Sequence, residues 1–486
     1  MPTRSSFLFR FRSAFRVGSL MLLDIFAYFF TLPLAVLTRT NIPDFIHRVR
    51  MPDQAFFFLM WIPLALVVMN QFQRLYRTRY AFWEETRILI RSISISFLVL
   101  LFGATVRNVL NNHTLLFVFV VLWFYLLLII PAARLIGKKL LYRLGVWREN
   151  VVIIGAGESG VATLRGLLSE SHLGYRVMAF LDDDPSRDGE AITVRGQEFQ
   201  VFGPTRDFAA FAGELRVETI FVAGSTDDNE ALSRQVRELN RIVQRIILVP
   251  DIHGVAIFNS EMHHLLSDRL FMIKLNNNLN FLFNIAFKRI FDIVVCVIGL
   301  LITWPVFAAI ALAVKLTSKG PVIYPHQRVG RGGKNFPAFK FRSMYVDSAA
   351  RLKKILDTDP EAKREWEASY KLKNDPRVTP IGAFLRKTSL DEIPQVFNIL
   401  FGHMSLVGPR PVIREEIDKF YGSFREYYYT VKPGLTGLWQ VSGRSDTDYA
   451  TRTRLDAWYV QNWSLWLDIT LLLRTVEVVL KRKGAY

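Results

Sequence analysis

The 486-residue chain holds a single cysteine, Cys296, which lies inside an apolar run. That excludes a disulfide within the chain and any metal site built on cysteines. Its eight histidines show neither HxxxH nor HExxH spacing, so the common histidine zinc motifs are missing as well. The adjacent His263 and His264 read as a loop or surface pair. Acid is also scarce, 43 Asp and Glu against 61 Lys and Arg, for a formal net charge of +18. Nucleic acid is one usual partner of such an excess. Here the basic residues lie beside long apolar runs and clusters of Trp, Phe and Tyr. An anionic membrane face therefore fits better, and no nucleic acid partner is expected. A cleavable signal is lacking too. The first apolar run, Val17 to Leu37, exceeds a signal core and has no A-x-A-like site behind it.

What is present first is a series of four apolar segments, Val17–Leu37, Ala55–Asn70, Ile88–Val106 and Leu115–Ala133. Each approaches the ~20 residues that a helix needs to cross a bilayer. Cations are unequally shared between their flanks. Fourteen lie before the first segment, from Arg74 to Arg91 between the second segment and the first turn of the third, and after the fourth, from Arg4 to Arg148 in all. The other two loops carry only Arg39, Arg48, Arg50 and Arg107. The positive-inside rule then puts both ends of a four-helix transmembrane bundle, residues 1–145, on the cytoplasmic side of the membrane.

The character changes at Glu149. Val151-Val152-Ile153-Ile154 reads as a buried strand and runs into Gly155-x-Gly157-x-x-Gly160 and a helical stretch. A second strand over Val177–Leu181 ends at Asp182-Asp183-Asp184. Strand, glycine turn, helix, strand and acid in this order make a Rossmann-like fingerprint, with Gly155, Gly157 and Gly160 as candidate cofactor-binding positions. Residues 149–255 are expected to form this α/β insert, with strands at Thr219–Val222 and Arg245–Val249. A small doubly wound domain with no ligand remains the other reading. The insert has one tyrosine, Tyr175, and alanine at 179, so it has no YxxxK catalytic pair. Residues 256–282 read as a linker.

A further apolar run, Phe291 to Leu316, is interrupted by Trp304-Pro305. Lys288 and Arg289 precede it; Lys315, Lys319, Arg328, Arg331 and Lys334 follow. Proline within a helix removes a hydrogen bond and crowds the preceding turn. A re-entrant helix bent near Pro305 keeps both basic flanks in the cytoplasm. A kinked spanning helix is the alternative. The tail, Trp463–Leu480, suits either a helix lying in the membrane interface or one packed in a core.

The chemistry concentrates between these segments. Asp391 and Glu392 stand side by side just after Arg386 and Lys387, within Thr388-Ser389-Leu390-Asp391-Glu392-Ile393-Pro394-Gln395. Paired acids among phosphate-seeking cations point to phosphoryl transfer, with an acid as nucleophile or metal ligand. Ser389-x-x-Glu392 also fits a capping box, a structural role for Glu392. A helix start there would additionally keep Asp391 ionised. Lys340, Arg342, Arg377, Arg386, Lys387, Arg410 and Arg444 recur beside Gly and Pro, as loops closing on phosphate oxygens would place them.

From about Lys288 to Tyr486 the chain resembles the bacterial sugar transferase domain of polyprenyl-phosphate phosphoglycosyl transferases. The likeness rests on Gln327-Arg328-Val329-Gly330, Lys340-Phe341-Arg342-Ser343-Met344 and Lys387 to Gln395, followed by Ser405 to Pro411 and Lys432 to Arg444. The bundle and insert extend it over the whole chain. Tyr459-Val460-Gln461-Asn462-Trp463 and the ending Lys483-Gly484-Ala485-Tyr486 make it most similar to the undecaprenyl-phosphate galactose phosphotransferases. The resemblance implies a mostly α-helical monotopic catalytic domain, residues 283–486, on the cytoplasmic face. It implies transfer of a sugar 1-phosphate from a UDP-sugar to undecaprenyl phosphate, at the start of O-antigen or exopolysaccharide synthesis. Asp391 would carry the phosphosugar and Glu392 would hold Mg²⁺. Lys340, Arg342 and Arg410 would contact phosphate, with Gln440 and Arg444 further candidates. Membrane lipid and a second copy of the chain are the other partners implied.

Galactose follows from the closer likeness, and glucose is the alternative. The front half alone also resembles membrane-bound NAD-dependent nucleotide-sugar dehydratases, a reading weakened by the missing YxxxK pair. A third possibility is a non-enzymatic assembly scaffold in which Asp391-Glu392 is only a helix cap.

Overall fold

A computed structural model describes residues 4–39, 52–106, 113–205, 208, 217–223, 235–240, 242–243, 245–249, 261–265, 270–274, 278–359, 361, 363–364, 375–442 and 448–480. The chain divides into two compact units, Met1–His253 and Gly254–Tyr486. In the first, four helical stretches are long and apolar enough to cross a membrane: Ala14–Leu37, Gln54–Phe72, Phe82–Val106 and His113–Arg143. The second stretch carries a π-helical turn at Phe57–Trp61. Their facing sides interdigitate around Tyr28, Phe58, Ile62, Ile93, Phe97, Phe119, Leu122 and Leu126. Outward, Leu22, Phe26, Leu98, Phe102 and Leu128 are exposed. An apolar exterior over an apolar core is what lipid, rather than water, stabilises.

The bundle also encloses charge. Arg134 donates to Asp24 at 2.8 and 2.6 Å and to Glu85 at 2.9 Å. Lys138 pairs with the same Glu85, and Asn70 and Tyr76 donate to Asp24. Each buried charge thus meets an opposite charge, the condition under which burial is tolerated.

Strands β1 (Glu149–Ile154), β2 (Tyr175–Leu181), β3 (Ala191–Val194), β4 (Gln197–Phe202), β5 (Thr219–Ala223) and β6 (Arg245–Val249) form one sheet in the order β3-β4-β2-β1-β5-β6. Its β4-β2-β1-β5-β6 core is parallel, and β3 pairs antiparallel with β4 at the edge. The helix after β1, Glu158–Ser169, gives the Rossmann-like crossover expected of this segment. Bundle and sheet fall within the same compact unit. Buried Glu149 at the head of β1 explains this, because it pairs with Arg16 and Arg79 from the bundle and with Arg245 from β6.

The second unit differs from expectation at its start. Where a linker is expected over 256–282, β7 (Glu261–Leu265) and β8 (Leu270–Lys274) form an antiparallel hairpin, with His263 and His264 in β7 rather than in a loop. Next comes one helix, Leu282–Thr317, about 54 Å long at 1.5 Å per residue. Helical backbone continues through Pro305, which lies inside the helix. Only one main-chain bond is lost at a proline, and the flanking turns retain theirs. Both flanks of this helix pack on the same unit. Cys296 joins a core with Ile399, Met404, Tyr459 and Trp463, and Ile310 and Val314 join another with Phe341 and Leu385. Between them Leu301, Ile302, Trp304 and Val306 are exposed.

The rest of the unit comprises the antiparallel hairpin β9 (Ile323–Val329) and β10 (Asn335–Phe341), the short parallel pair β11 (Ser405–Val407) and β12 (Gly434–Thr436), and helices around them. The final helix is Leu465–Leu480. Leu467 and Leu471 lie in the core, while Leu473 and Val476 are exposed.

Candidate active site

Asp391 and Glu392 occupy a single 3₁₀ turn, Leu390–Glu392, between the helices Pro380–Lys387 and Gln395–Leu400. Leu390 and Ile393 pack against the core around Phe341 and Leu385, which anchors the turn on both sides. The expected capping box does not form. Ser389 has φ +57°, in the left-handed region, and its side chain makes no cap bond. Without a long helix starting here, a helix dipole cannot be what keeps the acids ionised. Side-chain cations do that instead.

Lys340 comes from β10, which Asn398 clamps by accepting from Phe339 N (2.8 Å) and donating to Pro337 O (2.7 Å). Its Nζ lies 2.6 Å from Glu392 Oε1 and 4.0 Å from Asp391 Oδ2. Arg328 sits on β9 opposite Phe336 and pairs loosely with Glu416 at 3.6 Å. Arg410 follows β11 in Gly408-Pro409-Arg410-Pro411, with its guanidinium 5.5 Å from the centre of the Trp439 ring. The turn around it is tight. A Cβ at Gly434 would stand 2.1 Å from Gly408 N, so only glycine allows β11 and β12 to approach in this way.

These side chains line one open cleft: Arg328, Lys340, Glu392, Gln395, Arg410 and Gln440, with Ala338, Pro411 and Leu435 as its apolar wall. Asp391 is adjacent and 8% exposed. Gln440 Nε2 donates to Leu435 O at 3.3 Å, while its Oε1 is buried without a partner. An orphaned acceptor in a cleft wall suits a donor brought by a ligand.

The two acids differ electrostatically. Burial, together with the neighbouring Glu392 charge, raises the Asp391 carboxyl above its ordinary value, although Lys340 and Arg386 oppose it. Burial would raise Glu392 as well, but Lys340 and Arg410 outweigh it and hold that carboxyl at about 2. Near neutral pH Glu392 is a fixed anion, and Asp391 is the more basic of the two, a better oxygen nucleophile. His326 on β9 is pushed down to about 4 by burial and by Arg328 and Lys340, so it is neutral there.

The structure thus gathers Lys340, Glu392, Arg410 and Gln440 with Asp391 at the edge. It separates Arg342. That guanidinium is buried and bonds to the carbonyl oxygens of Pro321 and Ser318, to Ser318 Oγ and to Val314 O, closing the end of the Leu282–Thr317 helix. Arg342 is therefore a helix-capping residue and does not line the cleft. Arg444 lies outside the described residues. Sequence reasoning missed Arg328 and Gln395 as cleft residues, although both stand in the motifs quoted for the family likeness. Arg386, 2.9 Å from Ser343 Oγ, is another unassigned cation near Asp391.

In the first unit, Gly155 has φ +94°, and a Cβ on Gly160 would meet Gly155 O at 1.8 Å. These glycines serve the tight strand-to-helix turn. Asp182 accepts from Ala156 N at 2.7 Å and from Asp184 N at 3.0 Å, so both of its oxygens already bind backbone.

Among the described residues no three His, Cys, Asp or Glu gather as a metal site. Magnesium, however, commonly takes one or two protein carboxylates and completes its shell with substrate phosphate and water. Asp391 and Glu392 fit that pattern, since Lys340 occupies only Oε1 of Glu392.

Two family models match the chain. The bacterial sugar transferase model covers residues 283–482, and a CoA-binding domain model covers residues 56–250. An undecaprenyl-phosphate galactose phosphotransferase of Salmonella typhimurium is 40% identical over 417 residues, 85% of this chain and 84% of that protein. A UDP-galactose-lipid carrier transferase of Erwinia amylovora is 37% identical over 85% of this chain and 84% of its own length. A UDP-glucose:undecaprenyl-phosphate glucose-1-phosphate transferase of Klebsiella pneumoniae is 30% identical over 89% of this chain and 91% of its own.

Proposed function

The chain belongs to the bacterial sugar transferase family, and on that premise we propose that it moves galactose 1-phosphate from UDP-galactose to undecaprenyl phosphate. The coarser activity, a polyprenyl-phosphate sugar-1-phosphate transferase that initiates polysaccharide synthesis, follows from the relatives. The 40% identity to a galactose phosphotransferase over most of both chains carries the choice of sugar. The relative named for glucose is less similar, at 30%.

In the first step an Asp391 carboxylate oxygen attacks the sugar-linked phosphorus. The bond to the bridging oxygen breaks, UMP leaves, and an aspartyl phosphosugar remains. In the second, a phosphate oxygen of undecaprenyl phosphate attacks the same phosphorus. It frees Asp391 and forms the diphosphate-linked sugar. Lys340, Arg328 and Arg410 approach the cleft from three separate segments, an arrangement suited to the oxygens of a diphosphate. Gln440 Oε1 is placed to accept from a donor group of the nucleotide or sugar. Mg²⁺, held by Glu392 with Asp391 beside it, would offset diphosphate charge.

The donor is soluble and the acceptor is a lipid, so the cleft belongs at the cytoplasmic surface of the inner membrane. We read the Leu282–Thr317 helix as re-entrant there. Its support is that residues on both sides of the exposed Leu301–Val306 stretch pack on the same catalytic unit. The test is UMP release from a panel of UDP-sugars by the purified full chain, with intact-mass detection of the protein adduct. UDP-galactose should give the fastest turnover, and Asp391→Asn should abolish both turnover and adduct. Near-normal turnover by Asp391→Asn, checked free of deamidation, would sink the nucleophile. Preference for UDP-glucose would sink the sugar assignment.

A further inference from the structure

Away from the cleft, the second unit carries a pair of cations that the transfer chemistry does not use. Arg289 and Lys432 converge over Gly402, where a Cβ would stand 3.5 Å from Arg289 Nη2 and 3.5 Å from Lys432 Nζ. Twice 3.5 Å bounds their separation at 7.0 Å. Arg289 is held in place because it donates to Ile399 O (2.5 Å) and Leu400 O (2.8 Å) at the end of the Gln395–Leu400 helix. Among the described residues neither cation has an ion-pair partner, whereas the neighbouring Lys288 is neutralised by Asp468 at 2.5 Å.

Burial and then Arg289 press the Lys432 ammonium below its ordinary value, with Arg331 and Lys288 acting the same way. Asp292 alone opposes them, and its oxygens are turned to Ser405 Oγ and Leu406 N. Two like charges kept this close, half out of water, need an anion to offset them.

The surroundings indicate which anion. Phe401, the chain neighbour of Gly402, is 67% exposed. Phe283, Phe287 and Ile290, beside Arg289 in the sequence, are exposed as well. Cations set among exposed aromatic side chains at the foot of an apolar helix match the headgroup level of a bilayer.

We propose that Arg289 and Lys432 bind the phosphate of an anionic phospholipid headgroup at the foot of the Leu282–Thr317 helix. The site rests on the membrane placement of that helix but not on the sugar or the nucleophile. Its occupant reaches the cleft through the chain itself. Pro433 O accepts from Ser405 N at 2.9 Å, β12 follows, and Leu435 of β12 forms part of the cleft wall. A bound headgroup would therefore brace the strand on which that wall stands.

The experiment uses the full chain in nanodiscs of phosphatidylcholine with or without phosphatidylglycerol, released for intact-mass measurement of retained lipid. Wild type should retain phosphatidylglycerol in preference to phosphatidylcholine. Lys432→Met should retain about fivefold less, the effect of one interfacial cation, and Lys432→Arg should restore it. Equal retention by wild type and a folded Lys432→Met would overturn the site. Displacement by inorganic phosphate, or replacement by added undecaprenyl phosphate, would overturn the phospholipid as its occupant. UMP release in the same discs reads the transferase separately, so a lipid preference without turnover would count against the proposed reaction alone.

Discussion

Removing the Lys340 ammonium tests the electrostatics of the site most directly. In Lys340→Met the chain keeps its bulk on β10 but loses the charge 4.0 Å from Asp391 Oδ2. Coulomb's law at that distance gives about 1 kcal/mol in water and about 4 kcal/mol at an effective dielectric near 20. The Asp391 side chain is 11% exposed, so its environment lies between these limits. At 1.36 kcal/mol per unit this corresponds to a rise of roughly one to three pH units. The sign is fixed by the chemistry. Lys340 lowers a carboxyl that burial and Glu392 raise, so without it the proton is held more tightly. Glu392 stays ionised because Arg410 and Arg328 remain beside it. The nucleophile then becomes available only at higher pH. The assay is kcat/KM for UMP release against pH in wild type and variant. The acid limb should move upward by about one to three units, on top of a uniform loss from the missing phosphate contact. An acid limb that stayed in place or moved down would refute the argument that Lys340 keeps Asp391 ionised.

Three further outcomes follow from other parts of the molecule. Arg342→Leu should lower stability by about 3 kcal/mol, since several buried acceptors lose a charged donor. Its effect should appear in thermal unfolding, and a stable variant with only a raised KM for the UDP-sugar would return Arg342 to phosphate binding. Asp24→Ala should destabilise the bundle by about 3–5 kcal/mol, because Arg134 is left buried with Glu85, which also serves Lys138. A detergent thermal shift near zero would show that the network carries little energy. For membrane topology, Phe281→Cys and Lys319→Cys, each in a Cys296→Ser background, should both react with impermeant label only from the cytoplasmic side. Periplasmic reaction of the Lys319 position would make the Leu282–Thr317 helix a spanning one.

The elements legible in the sequence are those specified by local physics. Long apolar runs mark the membrane-length helices, because each residue's partition into lipid depends little on distant residues. Val151–Ile154, the glycine turn and the acid at 182 mark the parallel strands and crossover, because turn geometry and strand burial are set over a few residues. The adjacency of Asp391 and Glu392 needs no folding at all. Tertiary structure decided which cations meet them. Lys340 and Arg342 are two residues apart, and a strand running through both would point them to one face. But β10 ends at Phe341, so Arg342 leaves the pleat and turns to the carbonyls at the end of a helix. Arg328, 64 or more residues from any cleft partner outside its own hairpin, arrives through the register that sets it opposite Phe336. The same holds for Ser389. Its spacing from Glu392 satisfies a cap on paper, yet the chain takes a left-handed turn there and the ionisation of Asp391 passes to Lys340 and Arg386. Such charges act through space, and their distances exist only once the hairpin, the turn and the Gly408 loop have packed together.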